Sequence, residues 1–166
     1  MAVRQQRAGR QRRNVNALQD KPGHLIRRCQ QIAVGLFLEA CAEHALTPMQ
    51  YALLKAVQAG PGQDQITLAG QVALDRSNAA RLCAGLEQRG LLRRTPDPLD
   101  RRARRLTLTA EGQALLARAE PDVAAVQQAL LAPLAPAQRE PFMAALRAIA
   151  AAHNGASRAP LREAEG

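Results

Sequence analysis

Tryptophan is absent from this chain, and one tyrosine and two phenylalanines are its only aromatics, 2% of 166 residues. A core must therefore be built from Leu, Ala, Val and Ile, and the stacking platforms that hold unpaired bases are lacking. An RNA-binding or acidic-partner adaptor thus stays a secondary reading. Lysine is nearly missing as well, with Lys21 and Lys55 against 21 arginines. Arginine's planar fork suits bidentate phosphate contacts and insertion into grooves, although a GC-rich genome would also replace Lys by Arg throughout. The three cysteines, Cys29, Cys41 and Cys83, are an odd number set in apolar helical patterns. Reduced thiols in a cytoplasmic setting are expected rather than a disulfide framework. No apolar run is long enough to span a bilayer, and no apolar segment follows the N-terminal arginines as a signal peptide would require. His24, His44 and His153 are scattered, and there is no Ser-His-Asp arrangement, paired carboxylates or metal-ligand spacing. No enzymatic activity, metal or cofactor is therefore expected.

What is present is concentrated positive charge. The formal net charge is +9, yet most of the chain is neutral, with twelve basic against twelve acidic residues. The excess lies in two places. Residues 1–13 carry Arg4, Arg7, Arg10, Arg12 and Arg13 and no acid. The stretch 93–105 carries Arg93, Arg94, Arg101, Arg102, Arg104 and Arg105 against Asp97 and Asp100. Charge gathered on a neutral body marks a contact surface for a polyanion, and duplex DNA is the expected one.

Periodicity orders the rest. Residues 1–20 lack an apolar pattern and read as a disordered basic arm. Pro22-Gly23 opens a helix over 23–44 whose stripe is Leu25, Cys29, Ile32, Leu36 and Ala40, widened by Ile26, Ala33 and Phe37. So broad a stripe predicts burial against two surfaces, as at a subunit interface. Thr47-Pro48-Met49-Gln50 predicts a capping box and a second helix ending before Gly60-Pro61-Gly62. Residues 65–67 read as a short extended piece, with Thr67 capping a third helix over 68–74. Asp75 to Arg89 predicts a fourth helix closed by Gly90 in the left-handed position. Two short apolar runs flanking Pro96-Asp97-Pro98 then predict a hairpin. Thr109-Ala110-Glu111-Gly112 starts a fifth helix, bent at Pro121, and a last helix covers 137–153 with Phe142, Leu146 and Ile149 in its stripe. The fold class expected is mainly α with a small β-hairpin. That is a winged helix-turn-helix with N- and C-terminal dimerisation helices.

The chain resembles the MarR family of bacterial transcriptional regulators. The resemblance is carried by Thr47-Pro48-Met49-Gln50, Leu68-Ala69, Leu74-Asp75-Arg76-Ser77, Leu86-Glu87-Gln88-Arg89-Gly90-Leu91-Leu92, Asp100-Arg101-Arg102 and Leu108-Thr109-Ala110-Glu111-Gly112. These pieces stand in the family's order across about residues 23–150. Ala80 and Gly85 depart from it, since the family often carries larger polar residues there. Pro22-Gly23-His24-Leu25-Ile26-Arg27-Arg28 is most similar to repressors of aromatic or nicotinate catabolism. The resemblance implies a homodimer that binds a pseudo-palindromic duplex operator, associated with the nucleoid when bound. Residues 21–153 would form the winged-helix domain, with 47–108 as the DNA-binding lobe and 22–46 and 109–153 as dimerisation helices. Residues 154–166 would be a flexible tail.

On the fourth helix, Ala79, Leu82, Cys83 and Leu86 form the apolar face. The opposite face holds Ser77, Arg81, Ala84 and Gln88, with Arg76 and Asn78 at the helix start. Arg76, Ser77, Asn78 and Arg81 are the candidates for base-edge or phosphate contacts. In the wing, the resemblance implies that Asp100 orients an arginine and that Arg102 enters the minor groove. Arg93, Arg94, Arg101, Arg104 and Arg105 are expected on phosphates, as added salt dependence.

A release signal is sought on the first helix. His24 and Arg28 lie one turn apart with Gln31 close by, and Tyr51 is the sole tyrosine. A guanidinium beside an imidazole is a receptor for a carboxylate, and the resemblance implies a small aromatic acid of hydroxynicotinate or benzoate type. Oxidation is the alternative signal, with Cys29 as the reactive thiol and Tyr51 as its polarising neighbour, although thiols in apolar surroundings are usually inert.

Overall fold

The computed structural model describes residues 18–98 and 103–162. The N-terminal arm to residue 17, Asp100, Arg101 and Arg102 in the wing, and residues 163–166 lie outside the described residues. Six helices and one two-stranded antiparallel sheet follow one another as α1 (Pro22–Ala40), α2 (Pro48–Ala59), α3 (Gln65–Gln71), α4 (Arg76–Gln88), β1 (Leu92–Pro96), β2 (Arg104–Leu108), α5 (Ala110–Leu131) and α6 (Pro136–Ala152). This is the winged helix-turn-helix architecture expected from the sequence. The core gathers Leu53, Leu54 and Val57 of α2, Leu68 of α3, Cys83 and Leu86 of α4, Leu92 and Leu106 of the wing and Leu116 of α5. Aliphatic side chains do fill it, with Phe37 the only buried aromatic.

The first helix ends four residues earlier than its periodicity predicts. Beyond Ala40 the chain tightens into a 3-10 turn over Ala42–His44, and Ala45 takes a left-handed φ of 49°. Two distant residues hold this turn. His44 pairs with Asp122 of α5 at 2.7 Å, and the Arg89 guanidinium donates to the carbonyls of Ala45 (2.8 Å) and His44 (3.3 Å). The Arg89 side chain, just past the end of α4, thus satisfies carbonyls that a continuing helix would have bonded itself, while Asp122 from the middle of α5 holds the His44 ring.

The α1 stripe is largely uncovered in the single chain. Leu25 and Ile26 are each 49% exposed and Ile32 is 48% exposed, whereas Phe37, one turn from the helix end, is buried. Cys29, placed on the buried stripe by periodicity, is exposed. Among the described residues, Phe37 is the one position of α1 that is buried, and the helix packs on α5 and α2. On α6, Phe142, Leu146 and Ile149 are likewise exposed and no residue is buried.

Within the lobe, α2 begins with the predicted capping box: Gln50 N donates to Thr47 Oγ1 at 3.2 Å and Thr47 N to Gln50 Oε1 at 2.9 Å. The start of α3 differs from expectation. Residues 65–67 are helical, and Asp64 rather than Thr67 is the cap, its Oδ1 accepting from Ile66 N (2.8 Å) and Thr67 N (3.1 Å). The Thr67 hydroxyl, assigned the capping role by sequence, donates to Asp64 Oδ2 at 2.5 Å. Burial works against the Asp64 charge, but these hydrogen bonds prevail and hold its carboxyl below the usual range. The extended segment lies one step earlier, where Gly62 N and Gln63 O bond to Leu106 of β2 and lash the helix-turn-helix to the wing.

In the wing, Leu92 faces Leu108 and Arg94 faces Leu106, which puts Leu92 and Leu106 inside. Gly90 closes α4 at φ 70°, as predicted. Helix α5 runs through Pro121 as one element. The acids flanking that proline fasten α5 to the rest: Glu120 accepts from Tyr51 Oη (2.9 Å) and Lys55 (3.2 Å), and Asp122 takes His44.

Candidate nucleic-acid interface

Helix α4 presents the residues expected to meet DNA, and the local chemistry at its start explains how they are held. Asp75 is the N-cap: Oδ1 accepts from Asn78 N and Ser77 Oγ, each at 2.9 Å, and Oδ2 from Asn78 Nδ2 at 2.5 Å. Backbone and side-chain bonds from Asn78 and Ser77 keep the Asp75 carboxyl below its ordinary range, so it is charged at neutral pH. Asn78 in turn accepts from the Arg81 guanidinium through Oδ1. A relay Asp75–Asn78–Arg81 therefore orients an exposed arginine one turn into the helix. Asn78 serves as positioner, a role the spacing alone did not reveal.

Behind this face, Ala79, Cys83 and Leu86 are buried as predicted, and burial pushes the Cys83 thiol up to about 11. Arg76, Ser77, Ala80, Arg81 and Gln88 are exposed along the outer face. Gly85 has nothing within 4 Å of where a Cβ would stand. Gly85→Ala is therefore expected to raise stability by about 1 kcal/mol through helix propensity alone. A denaturant titration showing loss instead of gain would mean that the backbone here needs a glycine for contact with something outside the chain.

The wing arginines do not form one uniform patch. Arg93 and Arg104 are exposed. Arg94, expected on phosphate, is committed to Glu87 of α4, with Nε–Oε2 at 2.6 Å and a second guanidinium nitrogen at 2.5 Å. The Arg94 hydrogen bond holds the Glu87 carboxyl low, and Arg94 N also donates to Glu87 Oε1 at 3.2 Å. Arg105 is paired with Asp97 at 2.7 Å. These two arginines staple the wing rather than face outward. The staples were not legible from the sequence because Glu87 meets Arg94 only when the hairpin folds against α4, and Asp97 meets Arg105 only when the two strands pair. Between the starts of α3 and α4 and the start of β2 lies a cleft of about 290 Å3, lined by Asp64, Gln65, Ile66, Arg76, Ala103 and Arg104. Asp100, Arg101 and Arg102 lie outside the described residues.

The residues expected to sense a signal are spread out. His24 is half-buried, Arg28 and Gln31 are exposed, and Gln31 accepts from Arg27 at 3.0 Å. Tyr51 packs on Phe37 with ring centroids 5.9 Å apart. Phe37 lies thirteen residues beyond His24, about 20 Å along the helix axis. Tyr51 is therefore not brought beside His24 and Arg28, nor beside Cys29. Burial and the bond to Glu120 push its phenol up to about 12, so it is a neutral donor. Of the thiols, Cys41 and Cys83 are buried, and desolvation raises both.

A family model described as the MarR family matches residues 44–103, which run from the 3-10 turn to just before β2. The transcriptional regulator HosA of Escherichia coli O111:H- is 34% identical over 131 residues, covering 79% of this chain and 96% of HosA. The chain belongs to the MarR family. Among solved structures, the MarR-type regulator PcaV of Streptomyces coelicolor in complex with its natural ligand is 41% identical with a TM-score of 0.76, covering 81% of this chain and 95% of that one. The transcriptional repressor CouR, solved on a 23-mer DNA duplex, is 35% identical with a TM-score of 0.76, covering 80% of this chain and 94% of that one. For a MarR protein, α3 and α4 are the helix-turn-helix and the β1–β2 hairpin is the wing. No helix among the described residues is long and apolar enough to cross a membrane.

Proposed function

We propose that this MarR-type regulator acts as a homodimeric repressor that binds a pseudo-palindromic duplex and is released by a small aromatic carboxylate. The observation that carries the DNA reading is the exposed face of α4, where the Asp75–Asn78 relay holds an exposed Arg81 on the same helix as Arg76, which borders the cleft beside the start of β2. Arg76, Ser77 and Arg81 would meet base edges or phosphates in the major groove, and Arg93, Arg101 and Arg104 the flanking backbone. The uncovered apolar residues of α1 and α6 support a second copy as their cover, since stripes of this size rarely stay wet. Two copies would set two α4 helices about one DNA turn, ~34 Å, apart. A ligand held near His24 and Arg28, at the uncovered end of α1, would favour a dimer spacing that no longer matches adjacent major grooves.

One experiment tests the reading as a whole: gel shift on duplexes from the region upstream of the protein's own gene, followed by titration with benzoate, hydroxybenzoate and hydroxynicotinate. A sequence-specific shift is expected, reversed by at least one acid. Absence of any specific shift would sink the DNA reading, and a shift that no acid reverses would sink the effector class. The exposure of Cys29 favours oxidation as a second reading. Release by organic peroxide, abolished by Cys29→Ser, would replace the acid by that signal.

A further inference from the structure

The chain beyond α6 folds back onto the helix-turn-helix. After the 3-10 turn Asn154–Ala156, the Asn154 side chain clasps Leu161 twice, Nδ2 donating to its carbonyl at 2.9 Å and Oδ1 accepting from its N–H at 2.8 Å. Ser157 bonds with Ala159 inside this loop, and Pro160 restricts the backbone next to the clasp. Arg162 N then donates to the Gly70 carbonyl of α3 at 3.0 Å. The stem of Arg162 lies over the same glycine, where a Cβ would come within 3.0 Å of its Cδ. A bare backbone at position 70 thus lets the tail settle on α3.

The tail arrives beside the DNA-facing helix. A cleft of about 320 Å3 is lined by Ile66, Gly70, Asp75 and Arg76 on one side and by Arg158 and Arg162 on the other. Ile66 and Arg76 also line the cleft beside the start of β2, with Arg104. Arg76 is therefore the shared wall of two basic clefts, and guanidiniums extend from the wing across the start of α4 to the tail. Neither Arg158 nor Arg162 is paired with a carboxylate among the described residues. The acid in this cleft, Asp75, already caps α4. With Arg76, Arg158 and Arg162 against the single carboxylate of Asp75, this cleft keeps a positive balance, which suits a polyanion.

We propose that residues 154–162 form a strap that adds Arg158 and Arg162 to the DNA interface, as contacts to backbone phosphates flanking the groove entered by α4. The proposal rests on the assignment of α4 as the DNA-facing helix. Phosphate contacts carry charge but no base information, so the strap strengthens binding to any duplex about equally.

The test is fluorescence anisotropy of full-length protein on operator and unrelated duplexes across a salt series. Variants are Arg158→Gln/Arg162→Gln, the single Arg158→Gln, whose position makes no contact with Gly70, and Asn154→Ala, which opens the clasp. The double variant is expected to bind both duplexes roughly tenfold or more weakly, with a log K against log [salt] slope shallower by up to ~3.6 for four lost phosphate contacts per dimer. The single variant should show about half the change in slope, and Asn154→Ala a shift in the same direction. Affinity and slope equal to wild type in Arg158→Gln and the double variant would overturn the strap. Tighter binding would overturn it as well, by showing that the tail covers the interface. Failure of wild-type protein to bind any duplex would instead remove the α4 assignment and the strap with it.

Discussion

Replacing Gly112 by alanine is expected to destabilise the protein by about 3 kcal/mol, although the residue lies in the first turn of a helix where alanine normally helps. A Cβ at this position would stand 2.0 Å from the carbonyl oxygen of Leu91 and 2.9 Å from its carbonyl carbon. Those are backbone atoms, and they have little room to withdraw. Leu91 N donates to Leu86 O at 3.0 Å, Leu91 is buried, and its carbonyl accepts from Thr109 N at 3.2 Å. Thr109 bridges the same junction, its hydroxyl donating to Gly90 O at 2.6 Å and accepting from Gly112 N at 3.0 Å. The end of α4, the entry to the wing and the start of α5 thus meet at a single close contact. For a chain of this size the loss corresponds to a melting temperature lower by roughly 10 °C. Calorimetry or denaturant unfolding checks it, and a variant as stable as wild type would show that α5 can retreat from Leu91. Gly85→Ala, inside α4, carries the opposite sign because its Cβ would meet nothing within 4 Å. The pair separates close approach from mere helix propensity.

Arg102→Ala is expected to weaken operator binding by roughly 100-fold or more, taking about 1–3 kcal/mol per arginine and two copies per dimer. The basis is the resemblance of Asp100-Arg101-Arg102, which stands between β1 and β2 in the sequence, to the family's motif; an arginine that enters a narrow minor groove would meet a strong negative potential. The structure sharpens the comparison. Arg94 and Arg105, indistinguishable from Arg102 by composition, are tied to Glu87 and Asp97. Arg94→Ala is the matched control, expected to leave the salt dependence near that of wild type while loosening the wing. Measured together by gel shift and circular dichroism, Arg102→Ala should lose affinity without losing helix. Equal effects of the two substitutions, or unchanged affinity for Arg102→Ala, would remove the minor-groove role.

Much of the lobe was legible because its signals are local. Thr47 and Gln50 form the predicted box, Gly90 takes the predicted left-handed φ, and the apolar spacing of Ala79, Cys83 and Leu86 identifies the buried face of α4. The errors arise in two ways, one from a competing local cap and the others from tertiary partners. Thr67 lost the cap of α3 to Asp64, which forms the better set of acceptor bonds three residues earlier. The α1 periodicity ran past Ala40 because it cannot register Arg89 and Asp122 arriving from elsewhere to hold the 3-10 turn. Cys29 looked buried because a stripe reports which face is apolar, not what lies against it.

By itself, the sequence determined the winged helix-turn-helix, the family and the concentration of arginine near the wing, since caps, periodicity and charge are properties of neighbouring residues. Only the tertiary structure decided which arginines stay outward and which are stapled, why Gly112 cannot carry a side chain, and that the tail returns to Gly70. Each of those depends on groups from different elements, or from the two sides of the hairpin, reaching hydrogen-bond or van der Waals distance. Such distances are set by packing and leave no periodic trace in the sequence.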